Sequence, residues 1–131
     1  MSQEVQKVLV VDDNQDVREL IVHILNADGF HVYAAIDGEN VLAILNSNPV
    51  DLVLLDVMMP GMSGLDVLKE IRTGSNKKIR EVPVMMITAM SSTDDVDQAL
   101  AIGANSYVVK PFRGTTIREK VRKILDLPFN E

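Results

Sequence analysis

Apolar residues recur along this chain in two rhythms, and the switching between them lays out the elements. The run Lys7 to Val11 stops at Asp12-Asp13 and predicts a first strand. Val17, Leu20, Ile21, Ile24 and Leu25 then fall at i, i+3, i+4, i+7 and i+8, the inward face of a helix closing near Asp28-Gly29. Phe30 to Ala35 is a weaker strand. Asp37 or Gly38 opens a helix with Val41, Leu42, Ile44 and Leu45 inward, ended by Asn48-Pro49. Asp51 to Leu55 follows, unbroken in its apolar character from Leu52, as expected of a strand buried on both faces. After Pro60-Gly61, Ser63 caps a helix carrying Leu65, Leu68 and Ile71. Thr73 to Glu81 is polar and basic and reads as a solvated loop. Val84 to Ile87 is a strand ending on Thr88. Ser91 to Thr93 cap a helix with Val96, Ala99 and Leu100 inward, and Gly103 suits its C′ position. Ser106 to Val109 is the fifth strand, ending on Lys110-Pro111. Thr115 or Thr116 starts the fifth helix, with Ile117, Val121, Ile124 and Leu125 inward and Pro128 as its stop.

Five strand-then-helix units with short links imply an α/β fold, a doubly wound parallel sheet with helices on both faces and right-handed crossovers. Parallel strands all point one way, so their last residues share one rim. Asp12, Asp13, Asp56, Thr88 and Lys110 are therefore expected to be neighbours in space. A chain of 131 residues fits a single domain with a sizeable core, here from about residue 7 to 127.

Composition narrows the classes. At 47% hydrophobic and 24% charged residues the chain is globular and not disordered. It has no cysteine, which excludes a disulfide framework and a zinc-thiolate site. Residues 1–7 lack the pattern of a signal peptide, and no apolar run approaches the ~20 residues of a bilayer span, so a cytoplasmic protein without a membrane partner is expected. The net charge of −6 argues against direct nucleic-acid binding.

Three carboxylates at one rim repel one another, by about 4 kcal/mol for a pair ~4 Å apart at an effective dielectric near 20. Such a cluster calls for cations. Lys110 supplies one, and an all-oxygen ligand set favours a hard ion, Mg²⁺ or its surrogate Mn²⁺. A metal beside a lysine and a hydroxyl also suits a phosphoryl group, with Thr88 as donor and Asp56 as the nucleophile that becomes an acyl phosphate. Singly, Asp12 or Asp13 would serve as a helix N-cap, Thr88 as an ordinary strand residue and Lys110 as a rim charge. Their joint placement favours a shared site.

The ordered motifs Asp12-Asp13, Leu54-Leu55-Asp56-Val57-Met58-Met59-Pro60-Gly61, Ile87-Thr88-Ala89, Gly103-Ala104 with Tyr107, and Lys110-Pro111-Phe112 resemble the receiver (CheY-like) domain of two-component response regulators. The likeness covers nearly the whole chain. It implies a flavodoxin-like five-stranded sheet of order 2-1-3-4-5. It also implies a phosphorelay signalling switch, assisting only its own phosphorylation and dephosphorylation, and not an enzyme with turnover. Asp56 would be the phosphoacceptor, fed by a sensor histidine kinase or a histidine phosphotransfer protein. Asp13, Asp56 and the Met58 backbone carbonyl would hold the metal, with Asp12 acting through water. Thr88 and Lys110 would bind phosphoryl oxygens, Ala89 would leave them room, and Tyr107 would be the switch aromatic. The Lys110-Pro111 bond would be cis, a conformation essentially confined to X-Pro.

Output is expected through the fourth helix, fifth strand and fifth helix. Asp94, Asp95 and Asp97 make the former helix acidic, and Arg113, Arg118, Lys120, Arg122 and Lys123 make the latter basic, although such ends also suit the helix dipole. Asn105 and Ser106 stand where dimerising DNA-binding relatives carry acids, which favours an unidentified heterologous output protein and a monomer or weak homodimer. The apolar pair Met58 and Met90 occupies positions that affect phosphate lifetime in such proteins. His23 and His31 lie off the rim. The start at Met1 and the short tail after Pro128 favour a stand-alone receiver over a module cut from a longer regulator or hybrid kinase. A metal-dependent aspartyl phosphatase would need an acid where Met58 stands. A flavin carrier would need a phosphate loop where Asp12-Asp13-Asn14 stands.

Overall fold

The computed structural model describes residues 5–129; residues 1–4 and 130–131, on which the signal-peptide and tail expectations partly rest, lie outside them. The strands β1 (Lys7–Val11), β2 (His31–Ala35), β3 (Leu52–Leu55), β4 (Val84–Thr88) and β5 (Ser106–Val109) form one parallel sheet in the order β2-β1-β3-β4-β5. Around them lie α1 (Gln15–Ala27), α2 (Val41–Ser47), α3 (Gly64–Thr73), α4 (Lys77–Arg80), α5 (Thr93–Ile102) and α6 (Gly114–Ile124). The flavodoxin-like order expected from resemblance is the one found.

The alternation of side chains along each strand explains why there are two cores. One face of the sheet buries Leu9, Val11, Val53 and Leu55 against α2, α3 and α5, and the other buries Val8, Val10, Leu52 and Leu54 against α1 and α6. Every residue of β3 and β4 is buried, so both strands read as continuous apolar runs.

Four expectations need correction. The stretch 73–81 is not only loop. Asn76 accepts from the Lys78 and Ile79 amides and caps a single helical turn, so the expected fourth and fifth helices are α5 and α6. The second helix opens at Val41 instead of Asp37 or Gly38, because Asp37 turns to accept from Asn40 ahead of it. The last helix starts at Gly114 and reaches only Ile124, with Leu125 as its C-cap. Leu20 and Leu100, expected inward, are 50% and 46% exposed. Each lies about 100° around its helix from a neighbour that is buried, Ile21 or Ala99, and so falls off the inward stripe.

Candidate functional site

Strand ends place the site. The ladder runs one step past each strand: the Asp12 amide donates to the Ala35 carbonyl at 3.2 Å, that of Asp56 to Val11 at 3.0 Å, and that of Lys110 to Thr88 at 2.8 Å. Asp12, Asp56 and Lys110 are thereby fixed to the same rim by backbone bonds before their side chains meet. Asp12 and Asp56 are 1% and 5% exposed and Thr88 is fully buried, the three buried polar side chains among the described residues.

The side chains converge as the rim argument requires. Lys110 Nζ donates to Asp12 Oδ2 at 3.0 Å and to Asp56 Oδ2 at 3.1 Å. Asp56 Oδ1 accepts from the Met58 amide at 3.2 Å, so both carboxylate oxygens are oriented. Carboxylate oxygens of Asp12, Asp13 and Asp56 all lie within 4.8 Å of one another. Asp13 is exposed, so the cluster opens to solvent on its side.

Asp12 and Asp13 do not cap α1. Asn14 does, accepting from the Val17 amide at 3.1 Å, while its own amide donates to Asp12 Oδ1 at 2.9 Å. Because Asn14 caps the helix, both aspartates are left for the rim. Thr88 Oγ1 accepts from the Met90 amide at 3.4 Å, and the Tyr107 hydroxyl donates to the Met90 carbonyl. Tyr107 is half-buried, and Ala89 is exposed between Thr88 and Met90. Lys110-Pro111 is cis. His23 and His31 are exposed and away from these residues.

Burial raises the Asp56 pKa above the ordinary carboxylate range, against the lowering hydrogen bond from Lys110, and the Asp12 charge adds to the rise. Burial pulls the Lys110 ammonium down, but its hydrogen bonds to Asp12 and Asp56 and their charges more than reverse this and raise it. The Tyr107 phenol is raised first by burial and then by the Asp95 and Asp56 charges.

Two supports went unnoticed in the sequence. A β-carbon on Gly64 would sit 2.0 Å from the Asp56 carbonyl oxygen, while the Gly64 amide donates to Val57 at 2.8 Å. The first residue of α3 therefore closes against the backbone of Asp56 itself, and only glycine fits. Its signal was a glycine directly after the cap Ser63. Arg18 donates to the Asp12 carbonyl at 2.9 Å and braces the β1–α1 turn, and nothing in the helical spacing marks it.

A family model for the response regulator receiver domain matches residues 8–122. The chain belongs to the receiver domain family. Among curated relatives, this receiver is 37% identical to the chemotaxis protein CheY of Pseudomonas aeruginosa, over 92% of the chain and 96% of that protein. It is 42% identical to the transcriptional regulatory protein CpxR of Klebsiella pneumoniae over 91% of the chain, spanning about half (49%) of that protein's length. Among solved structures, the Vibrio cholerae chemotaxis protein CheY4 superposes with a TM-score of 0.86 at 31% identity, over 92% of this chain and 99% of that one. A CheY-like receiver domain protein from Methanospirillum hungatei gives 0.85 at 27% identity, over 94% and 95%. Receivers of this family are phosphorylation switches of two-component systems that use Mg²⁺ and meet histidine kinases or phosphotransfer proteins. The donor set here, three carboxylates with an oxygen each within 4.8 Å, fits that ion. No helix among the described residues is long and apolar enough to cross a membrane.

Proposed function

We propose that this receiver takes a phosphoryl group from a phosphohistidine onto Asp56 and signals through α5, β5 and α6. The observation that carries the reading is Lys110 bridging Asp12 and Asp56 at 3.0 and 3.1 Å, beside buried Thr88. An Asp56 carboxylate oxygen attacks phosphorus, the P–N bond of the donor breaks, and the imidazole leaves with that bond's electron pair. Lys110 and the Thr88 hydroxyl then face the new phosphoryl oxygens and neutralise or donate to them. Asp13, Asp56 and the Met58 carbonyl are the groups assigned to hold Mg²⁺, with Asp12 behind them through water; the ion supplies charge neutralisation at the transferred group.

Tyr107 is the relay to the output surface. Its hydroxyl holds the Met90 carbonyl, so movement of Thr88 toward phosphate shifts the loop on which Tyr107 rests. Phosphorylation adds roughly −1.5 to −2 charges to a rim already crowded with carboxylates, which is ample drive for such movement. The half-exposed Leu20, with Val17, Pro111 and Phe112, gives the donor protein an apolar patch next to Lys110. We place the protein in the cytoplasm as a stand-alone receiver of the kind the chemotaxis relative represents. The CpxR relative, twice as long, supports the second reading, a receiver module of a larger regulator.

Labelling by a small radioactive phosphodonor tests the assignment. Wild-type protein should incorporate phosphate to near one equivalent in Mg²⁺ and none in excess chelator, and Asp56→Asn should incorporate none. Full labelling of Asp56→Asn, or undiminished labelling under chelation, refutes the reading.

A further inference from the structure

A second apolar surface borders the site. Val57, Met58, Met59, Pro60, Leu65 and Met90 line an open groove between the β3–α3 and β4–α5 loops. Met58 is 65% exposed, more than any other large apolar residue in the described part of the chain. Thioether side chains are unbranched and polarizable and mould to apolar groups of different shapes, a property of surfaces that receive helices.

The charged residues next to the groove on its two loops are acidic, and the nearest base along the chain is Lys69, one turn past Leu65. From Glu19 to Leu68 and from Glu81 to Val109 the chain has no Lys or Arg. Asp66 lies in the first turn of α3 next to Leu65, and Asp94 and Asp95 in the first turn of α5 just past Met90. A Glu39 carboxylate oxygen lies 3.7 Å from where a β-carbon on Gly61 would sit, over the β3–α3 loop. Lys110, the cation of the adjoining rim, is engaged by Asp12 and Asp56.

We propose that this groove docks a basic amphipathic helix of a partner protein, with apolar side chains seated on Met58, Leu65 and Met90 and flanking Lys or Arg facing Asp66, Asp94 and Asp95. Acids on the rim speed encounter and select the sign of the partner, while the methionines supply contact. A second copy of this chain does not provide such a helix. Its own basic helix, α6, keeps its apolar Ile117 and Val121 fully buried.

The groove is also wired to the site. The Met58 amide is held by Asp56, the Met90 amide by Thr88, and the Met90 carbonyl by Tyr107. A phosphoryl group that draws Thr88 changes both walls, so phosphorylation and partner binding affect each other by the same factor. This coupling rests on Asp56 as the phosphoacceptor, whereas the groove does not.

The test uses the full chain with isotope-labelled methionine methyls and a synthetic amphipathic helix of Leu and Lys. A twin with Glu in place of Lys serves as control. The basic peptide should bind with shifts centred on the Met58, Met59 and Met90 methyls, and the twin should not. Met58→Gln and Asp94→Lys, both at exposed positions, should each weaken binding by about three- to tenfold. Equal binding by the twin, shifts centred elsewhere, or unaltered affinity in both variants overturns the docking site. A concentration-dependent dimer that Met58→Gln abolishes assigns the groove to a second copy and likewise overturns it. Adding Mg²⁺ with beryllofluoride should change peptide affinity at least about threefold. Unchanged affinity in protein that has bound beryllofluoride overturns the coupling. Were Asp56→Asn still labelled by phosphodonor, the peptide results without beryllofluoride would stand unaffected.

Discussion

Asp56 is 5% exposed, with Leu55 behind it, and Asp12 shares its ammonium partner. Burial and the neighbouring charge both make its ionised form costly, and its pKa is raised in the folded protein. A carboxyl group whose folded pKa exceeds its unfolded one contributes stability that is complete below the unfolded pKa and lost as pH rises through the folded pKa. Above that folded pKa the contribution is gone. Asparagine is neutral at every pH and avoids the loss, while its single oxygen keeps one of the two bonds Asp56 accepts, from Lys110 or from the Met58 amide. Asp56→Asn should therefore melt about 2–5 °C above wild type at neutral pH, with the gap closing as the pH falls through the carboxylate range. Thermal unfolding followed by circular dichroism at several pH values checks the sign, and a lower melting point for the variant at neutral pH contradicts it. Asp12, Asp56, Thr88 and Lys110 were legible in the sequence because each ends an apolar run at a strand terminus. Arg18 and Gly64 were not, because their work is done on backbone carbonyls that carry no sequence label.

At the scale of elements, the signals that worked were periodicity and caps. Ser63 and Ser92 accept from the Asp66 and Asp95 amides as cap residues should. A one-turn helix has no periodicity to detect, and α4 escaped for that reason. Asn76 ahead of it was its only local mark. Arg72 shows what such short pieces are tied to. Its guanidinium donates to the carbonyls of Arg80, Val82 and Gly103 and to Asn105 Oδ1, joining α3 to the elements that follow. Asn105, taken above as a place where dimerising relatives carry an acid, serves internally here, since the same oxygen accepts from the Val84 amide. Closer to the site, Gly64 is where α3 comes up against the backbone of Asp56 at the end of β3. Gly64→Ala should cost about 2–3 kcal/mol, because the clash falls on backbone that cannot rotate aside. Urea unfolding measures the loss, and the same variant should take up phosphate more slowly because Asp56 is displaced. A fully stable Gly64→Ala protein would show that the loop can give way.

For the whole molecule, the parallel arrangement was readable from the strict alternation of units, and the shared rim followed from it. The order of strands was not, since no local pattern says which neighbour a strand chooses; it came from resemblance. The order decides how firmly the site is founded. β3 lies between β1 and β4, and the Asp56 amide is itself bonded to Val11. By contrast, β2 and β5 are outermost. Amide hydrogens of Leu54 and Leu55 should exchange with deuterium only when the entire chain opens, and those of β2 and the loop after Thr88 should exchange much sooner. Mass-resolved exchange would show whether this ranking holds. Asp56 thus has no private route of retreat: a chain that lets go of this residue has already melted. The give in the device belongs instead to the β4–α5 loop, so a drug or a partner wishing to silence the switch gains more by freezing that loop than by prying at the strand.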